Sequence, residues 1–114
     1  MDEFKKERTE INMGILYDIQ KQAEQFTLEN RMVQCTEEMA ELTQAFCKYQ
    51  RIKSKDKTCK TKEPTVMYSI TEEIADVEMC LEQIKYLLGV EKQNQIEQIK
   101  QEKYKRTERR LIQE

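Results

Sequence analysis

Histidine and tryptophan are absent from this chain of 114 residues, and there are only two glycines and one proline. So few helix-breaking residues among many glutamate, lysine and glutamine side chains favour long helices. The four cysteines, Cys35, Cys47, Cys59 and Cys80, form no CxxC pair. Because histidine is missing as well, a zinc site is not expected. Reduced thiols fit a cytoplasmic protein, which is the predicted location.

Long apolar runs are also missing. Hydrophobic residues make up 38% of the chain and charged residues 37%, and no segment approaches the length of a membrane span or has an N-terminal signal core. We therefore expect no membrane partner. The formal charge is −2, from 20 basic and 22 acidic residues, which does not indicate a nucleic-acid partner. The low apolar content indicates a core that is completed by oligomerisation.

The sequence predicts an all-α four-helix bundle in a single domain, residues 1–114. The four helices are expected at about 10–25, 28–51, 69–88 and 91–110. The third begins at a capping-box sequence, Ser69-Ile70-Thr71-Glu72, and Gly89 follows its end as a left-handed cap. Between the second and third helices, five lysines within residues 53–64 predict a solvated, mobile loop.

Four carboxylates form two short clusters, Glu38 with Glu41 and Glu73 with Asp76. Each pair is spaced i, i+3, so both side chains leave the same side of a helix. Glu73 also falls within the apolar stripe of the third helix, near Val77, where an ionised side chain is costly unless it is protonated, paired or metal-bound. Carboxylates that converge between two helices repel one another, and a hard cation such as Mg²⁺ relieves this repulsion. The sequence therefore predicts a magnesium site and, with it, phosphate chemistry.

Ordinary surface charge is the competing interpretation of each acidic cluster taken singly, because glutamate is abundant here. The position of Glu73 in the apolar stripe favours the metal site. On the fourth helix, Lys103 and Arg106 extend an apolar face, where they could hold phosphate oxygens or simply complement the helix dipole. If all these charges only decorate a bundle, the alternative function is a non-catalytic helical oligomeric adaptor or assembly protein.

The acidic motifs resemble those of the MazG-like all-α nucleoside triphosphate pyrophosphohydrolases, in particular the small phage and bacterial members. The EExxE motif reads Glu37-Glu38-Met39-Ala40-Glu41, and the ExxD motif reads Glu73-Ile74-Ala75-Asp76. The resemblance covers about residues 28–111, including the basic stretch of the last helix. In this chain the two motifs lie further apart than is usual, because the lysine-rich loop separates them.

The resemblance implies a MazG-like bundle that hydrolyses a nucleoside or deoxynucleoside triphosphate to the monophosphate and pyrophosphate. It implies roles for seven side chains: Glu38, Glu41, Glu73 and Asp76 as Mg²⁺ ligands, Glu37 with Glu38 as catalytic residues that assist the metal and the attacking water, and Lys103 and Arg106 as phosphate contacts. It also implies a homodimer or homotetramer. Arg31 stands where related sequences often have glutamine, and the base and sugar specificity are left open.

Overall fold

The computed structural model describes residues 2–113, with side-chain surroundings from residue 13 onwards. Within this range the chain is all-α and contains no strand, as predicted. The four helices are α1 (Asp2–Ala23), α2 (Leu28–Lys53), α3 (Glu63–Leu88) and α4 (Val90–Gln113). None of the described helices has an apolar stretch long enough to cross a lipid bilayer. The predicted domain also includes Met1 and Glu114, which lie outside the described residues.

Helix α3 is central, because α1, α2 and α4 all pack against it, and α2 does so most extensively. Helices α2 and α3 are antiparallel. An ion pair joins Lys53 to Glu63 beside the connecting loop, and a hydrogen bond joins Arg31 to Gln83 at the other end of the pair. This pairing places the middle of α2 beside the middle of α3, where the two acidic clusters lie.

The core of the single chain is small. Within the described residues, the buried apolar side chains are Ala23, Cys35, Ala45, Val66, Val77 and Cys80. Many large apolar side chains remain exposed instead, among them Met13 and Tyr17 on α1 and Leu111 on α4. Fully burying a large aliphatic side chain contributes about 1.5–3 kcal/mol, so this surface leaves considerable stabilisation unused in one chain alone.

Helix α3 begins at Glu63, six residues before the predicted start at Ser69. Pro64 lies in its first turn. Backbone N–H groups there have no partner within the helix, so proline loses no hydrogen bond, and its fixed φ favours the helical conformation. Ser69 is therefore inside α3, and its hydroxyl donates to the carbonyl of Thr65 at 3.1 Å. The capping-box prediction is wrong because Pro64 starts the helix earlier than Ser69 does.

The lysine-rich loop is shorter than predicted, residues 54–62, and a single aspartate organises it. Asp56 accepts hydrogen bonds from the hydroxyl and backbone N–H of Thr58, at 2.6 and 2.9 Å, and from Nε of Arg51 at 3.1 Å. The bonds from Thr58, followed by the one from Arg51, lower the pKa of Asp56 to about 2. The loop expected to be solvated thus contains a hydrogen-bonded turn, and it places Thr61 beside α2 and α3.

Helices α3 and α4 meet at one residue, Gly89, which has φ 97° and ψ 167°. The predicted positive φ is confirmed, but ψ lies in an extended region that is essentially restricted to glycine rather than in the left-handed helical region. Near this junction, Gln93 Nε2 donates to the carbonyl of Lys85 at 3.0 Å and holds the start of α4 against α3. From residue 97 to residue 113 every position is exposed.

Candidate metal centre

The two predicted acidic clusters meet where α2 packs against α3. The i, i+3 spacing places both members of each pair on one side of their helix. One carboxylate oxygen from each of Glu38, Glu73 and Asp76 lies within 4.8 Å of the other two, and all three side chains are half-buried. Glu41 is exposed at the edge of this group and still raises the pKa of Glu73. These four residues are called the acidic cluster below.

Two oxygen atoms of the acidic cluster are buried and accept no hydrogen bond, Glu38 Oε2 and Glu73 Oε2. The other oxygen of Glu38, Oε1, accepts a hydrogen bond from Gln34 Nε2 at 2.8 Å. In the part of the chain that the structure describes, no lysine or arginine forms an ion pair with any member of the cluster. A buried carboxylate oxygen without a partner destabilises the fold, and a bound cation would offset that cost.

Crowding changes the acidity of these carboxylates. Desolvation, followed by repulsion from Glu41, Asp76 and Glu38, raises the pKa of Glu73 from its ordinary value of 4.5 to about 7. Desolvation, followed by repulsion from Glu38, also raises the pKa of Asp76. The metal-free cluster therefore holds a proton near neutral pH, which a divalent cation has to displace.

The donor atoms favour a hard cation. Oxygen ligands from carboxylates are those that Mg²⁺ prefers, whereas zinc prefers thiolate and imidazole. The thiols of Cys35 and Cys80 lie close to the cluster, and desolvation by burial raises the pKa of both. They stay protonated at neutral pH and are poor metal ligands in that form. The cluster therefore fits the predicted magnesium ion.

A cavity of about 460 Å³ opens beside Glu38 and extends toward α1; we call it the Arg31 cavity. The guanidinium of Arg31 stands 3.8 Å over the ring of Phe26, and its Nη1 donates to Gln83 Oε1 at 3.0 Å. Gln83 is only 5% exposed, and its Nε2 donates to the carbonyl of Ile19 at 3.2 Å. Gln83 thus ties α1, α2 and α3 together and fixes a cationic, planar group at this side of the cluster.

A second cavity, of about 340 Å³, lies on the other side of the acidic cluster; we call it the Lys48 cavity. Helices α2 and α3 and the loop between them bound it. Its polar lining consists of Gln44, Lys48, Thr61, Thr65 and Ser69, with Glu41 and Glu73 on the side of the cluster. The acidic cluster therefore separates two cavities of different chemistry along one helix pair.

Three residues with predicted roles lie outside this convergence. Glu37 is exposed on α2 and is not one of the three side chains whose oxygens converge. Lys103 and Arg106 are exposed on the distal half of α4, beyond the part of that helix that packs on α3. Their assignment to the phosphates stays a prediction, as does the role of Glu37 in activating water.

The sequence interpretation assigned no role to Gln83 or Lys48, although a signal for both is present. Gln83 follows Asp76 by seven residues, and Lys48 follows Glu41 by seven residues. Seven residues are almost two helical turns, so each lies on the face of its helix that carries the acids. Extending the acidic face in both directions along α2 and α3 would have found them.

No family model matches the chain, and neither a curated protein nor a solved structure matches it. The functional proposal therefore rests on the side chains of this molecule, on general chemistry and on the resemblance of the two acidic motifs.

Proposed function

We propose that the chain is a magnesium-dependent hydrolase that cleaves a nucleoside or deoxynucleoside triphosphate into the monophosphate and pyrophosphate, as in the MazG-like family that its motifs resemble. One observation carries the proposal: Glu38, Glu73 and Asp76 converge to within 4.8 Å, and two of their oxygens are buried without a partner. Such a group weakens the metal-free helix pair. Its presence is therefore better explained by binding than by folding.

In this proposal Glu38, Glu73 and Asp76 hold Mg²⁺, and Glu41 contributes from the open edge. When bound, Mg²⁺ neutralises charge on the triphosphate oxygens and makes a neighbouring water more acidic. The carboxylates of the chain fix the ion relative to the two cavities. Glu37 and Glu38 are the proposed catalytic residues that orient the attacking water and take its proton, because the chain has no histidine to serve as a base.

We assign the nucleoside end of the substrate to the Arg31 cavity. Its volume of about 460 Å³ lies within the range of small-molecule sites. Arg31 donates three hydrogen bonds from its guanidinium, two to Asn30 and one to Gln83. Because a guanidinium has five N–H groups, two remain for oxygen or nitrogen acceptors of a bound nucleoside. Phe26 covers one face of the planar group, so stacking on a bound nucleoside would use the opposite face.

We further propose that the enzyme works in the cytoplasm as a homodimer or homotetramer. Exposed large apolar side chains on α1 and α4, such as Tyr17 and Ile112, supply surface for subunit contacts. In this proposal Lys103 and Arg106, on the exposed distal half of α4, contact the phosphates at the acidic cluster of a neighbouring subunit. Four free cysteines suit a reducing compartment.

Incubation with a panel of nucleoside and deoxynucleoside triphosphates, with and without Mg²⁺, tests the proposal by the pyrophosphate and monophosphate released. We expect Mg²⁺-dependent release that Glu73→Gln abolishes. Glu72→Gln is the matched control, because Glu72 is the exposed neighbour on the same helix and should retain activity. No release from any nucleotide, together with no stabilisation by Mg²⁺, would favour the adaptor protein.

A further inference from the structure

The Lys48 cavity contains hydrogen-bond donors that no other side chain uses. Within the described residues, Lys48, Gln44 and Thr61 form no side-chain hydrogen bond or ion pair. The lysine supplies up to three N–H donors, the glutamine amide two and the threonine hydroxyl one. A small cavity lined in this way is suited to a ligand with many acceptor oxygens.

The acids at the border of the cavity restrict what that ligand can be. Glu41 and Glu73 line the same cavity, and one buried oxygen of Glu73 has no partner. Two carboxylates repel an anion unless a cation lies between them and the anion. An anion should therefore bind here together with a divalent cation, whereas a simple basic patch would bind anions without one.

Size and composition separate this cavity from the Arg31 cavity. At about 340 Å³ it lies near the lower limit of small-molecule sites, and its lining contains no aromatic side chain. The Arg31 cavity is larger and contains Phe26. A nucleoside therefore suits the Arg31 cavity, and phosphoryl groups suit the Lys48 cavity.

We infer that the Lys48 cavity is the subsite for the pyrophosphate portion of the substrate, and that Lys48 is a cationic contact for it. This inference rests on the proposed function. It fixes the direction of the substrate along the α2–α3 pair, with the nucleoside toward Arg31, the scissile bond at the acidic cluster and the leaving group toward the loop. Lys48 thereby neutralises charge that accumulates on the departing pyrophosphate.

Inorganic pyrophosphate is the probe. It is titrated calorimetrically into the full chain in the presence and absence of Mg²⁺, with Mg²⁺–pyrophosphate complexation in buffer subtracted. We expect binding only with Mg²⁺, and about a tenfold or greater loss of affinity in Lys48→Met, because a charge-assisted contact is removed. Lys92→Met is the matched control, since Lys92 is exposed on α4, and it should bind as the wild type does. Mg²⁺ is also titrated alone into each variant.

If Lys48 only offsets the charge of Glu41 and does not contact pyrophosphate, the titrations of Lys48→Met should give a different result. Lys48→Met would then bind Mg²⁺ more tightly and pyrophosphate no more weakly, and the subsite would be overturned. Nucleotide hydrolysis without any binding of pyrophosphate would also overturn the subsite while leaving the proposed function standing. If the protein neither binds Mg²⁺ nor hydrolyses any nucleotide, both the pyrophosphate subsite and the proposed function are overturned. Retained Mg²⁺ affinity with selective loss of pyrophosphate affinity supports the inference.

Discussion

The affinity for Mg²⁺ should rise with pH, because Glu73 holds a proton in the metal-free protein and only its ionised form binds the ion. With a pKa of about 7, the observed dissociation constant exceeds its limiting value by about 11-fold at pH 6, about 2-fold at pH 7 and about 1.1-fold at pH 8. The expected gain from pH 6 to pH 8 is therefore about tenfold. Asp76, whose pKa is also raised, acts in the same direction.

Calorimetry in buffers of different ionisation enthalpy measures both the affinity and the protons released on binding. We expect close to one proton released from Glu73 per Mg²⁺ at pH 6 and very few at pH 8. Glu73→Gln cannot ionise at this position, so it should bind Mg²⁺ more weakly and with a shallower pH dependence. Glu72→Gln should behave as the wild type. Affinity that is independent of pH, with no proton release, would refute the crowding of carboxylates described here.

The same pKa shift predicts how the stability of the metal-free protein depends on pH. In the unfolded chain Glu73 titrates near 4.5 and in the folded chain near 7. Below pH 4.5 both states hold the proton, and the stabilising effect of the raised pKa is fully present. It is lost as the pH rises through 7. The melting temperature of Glu73→Gln should therefore match that of the wild type near pH 4.5 and exceed it at pH 8.

Three further substitutions test the fold and the proposed contacts. Gln83→Leu should lower the free energy of unfolding in urea by about 2 kcal/mol, because Arg31 loses its buried acceptor, whereas Gln95→Leu on exposed α4 should leave it nearly unchanged. Arg106→Ala should raise the Michaelis constant more than it weakens Mg²⁺ binding, and equal loss of both would remove Arg106 from the phosphates. Thr27→Ala should cost about 1 kcal/mol, measured the same way, since the Thr27 hydroxyl accepts the first-turn N–H of Asn30 at 3.1 Å.

Features that depend on neighbouring positions in the sequence were predictable. The all-α class follows from the scarcity of breakers, and α2 begins at the predicted Leu28 because Thr27 caps it. The end of α3 at Leu88 and the positive φ of Gly89 follow from one glycine after a long apolar pattern. The i, i+3 pairs of acids are equally local, so their shared face could be read directly from the sequence.

Features that depend on distant contacts could not be predicted in the same way. The hydrogen bond from Arg31 to Gln83 joins positions 52 residues apart, and no local pattern identifies that pair. The order in the loop, by contrast, is local: Asp56 accepts from Thr58, two residues later, and from Arg51, five residues earlier, and the interpretation of the segment by its lysine content overlooked these bonds. The start of α3 was mispredicted although its signal is local: two helix-start signals compete within seven residues, and Pro64 rather than Ser69 lies in the first turn.

Only Gly89 separates α3 from α4, so a change in its backbone angles would rotate α4 relative to α3. Gly89 is called the pivot below. Lys103 lies 14 positions beyond that pivot, which is about 21 Å along a helix. A rotation of about 20° at the pivot would displace it by about 7 Å over that length. The position of Lys103 therefore depends on the backbone angles of Gly89 together with the contacts that hold the start of α4 on α3, such as the bond from Gln93 to Lys85. A β-carbon at position 89 would meet no atom within 4 Å, yet the φ of 97° is strained for any residue other than glycine. A substitution there should therefore change the backbone angles and the direction of α4.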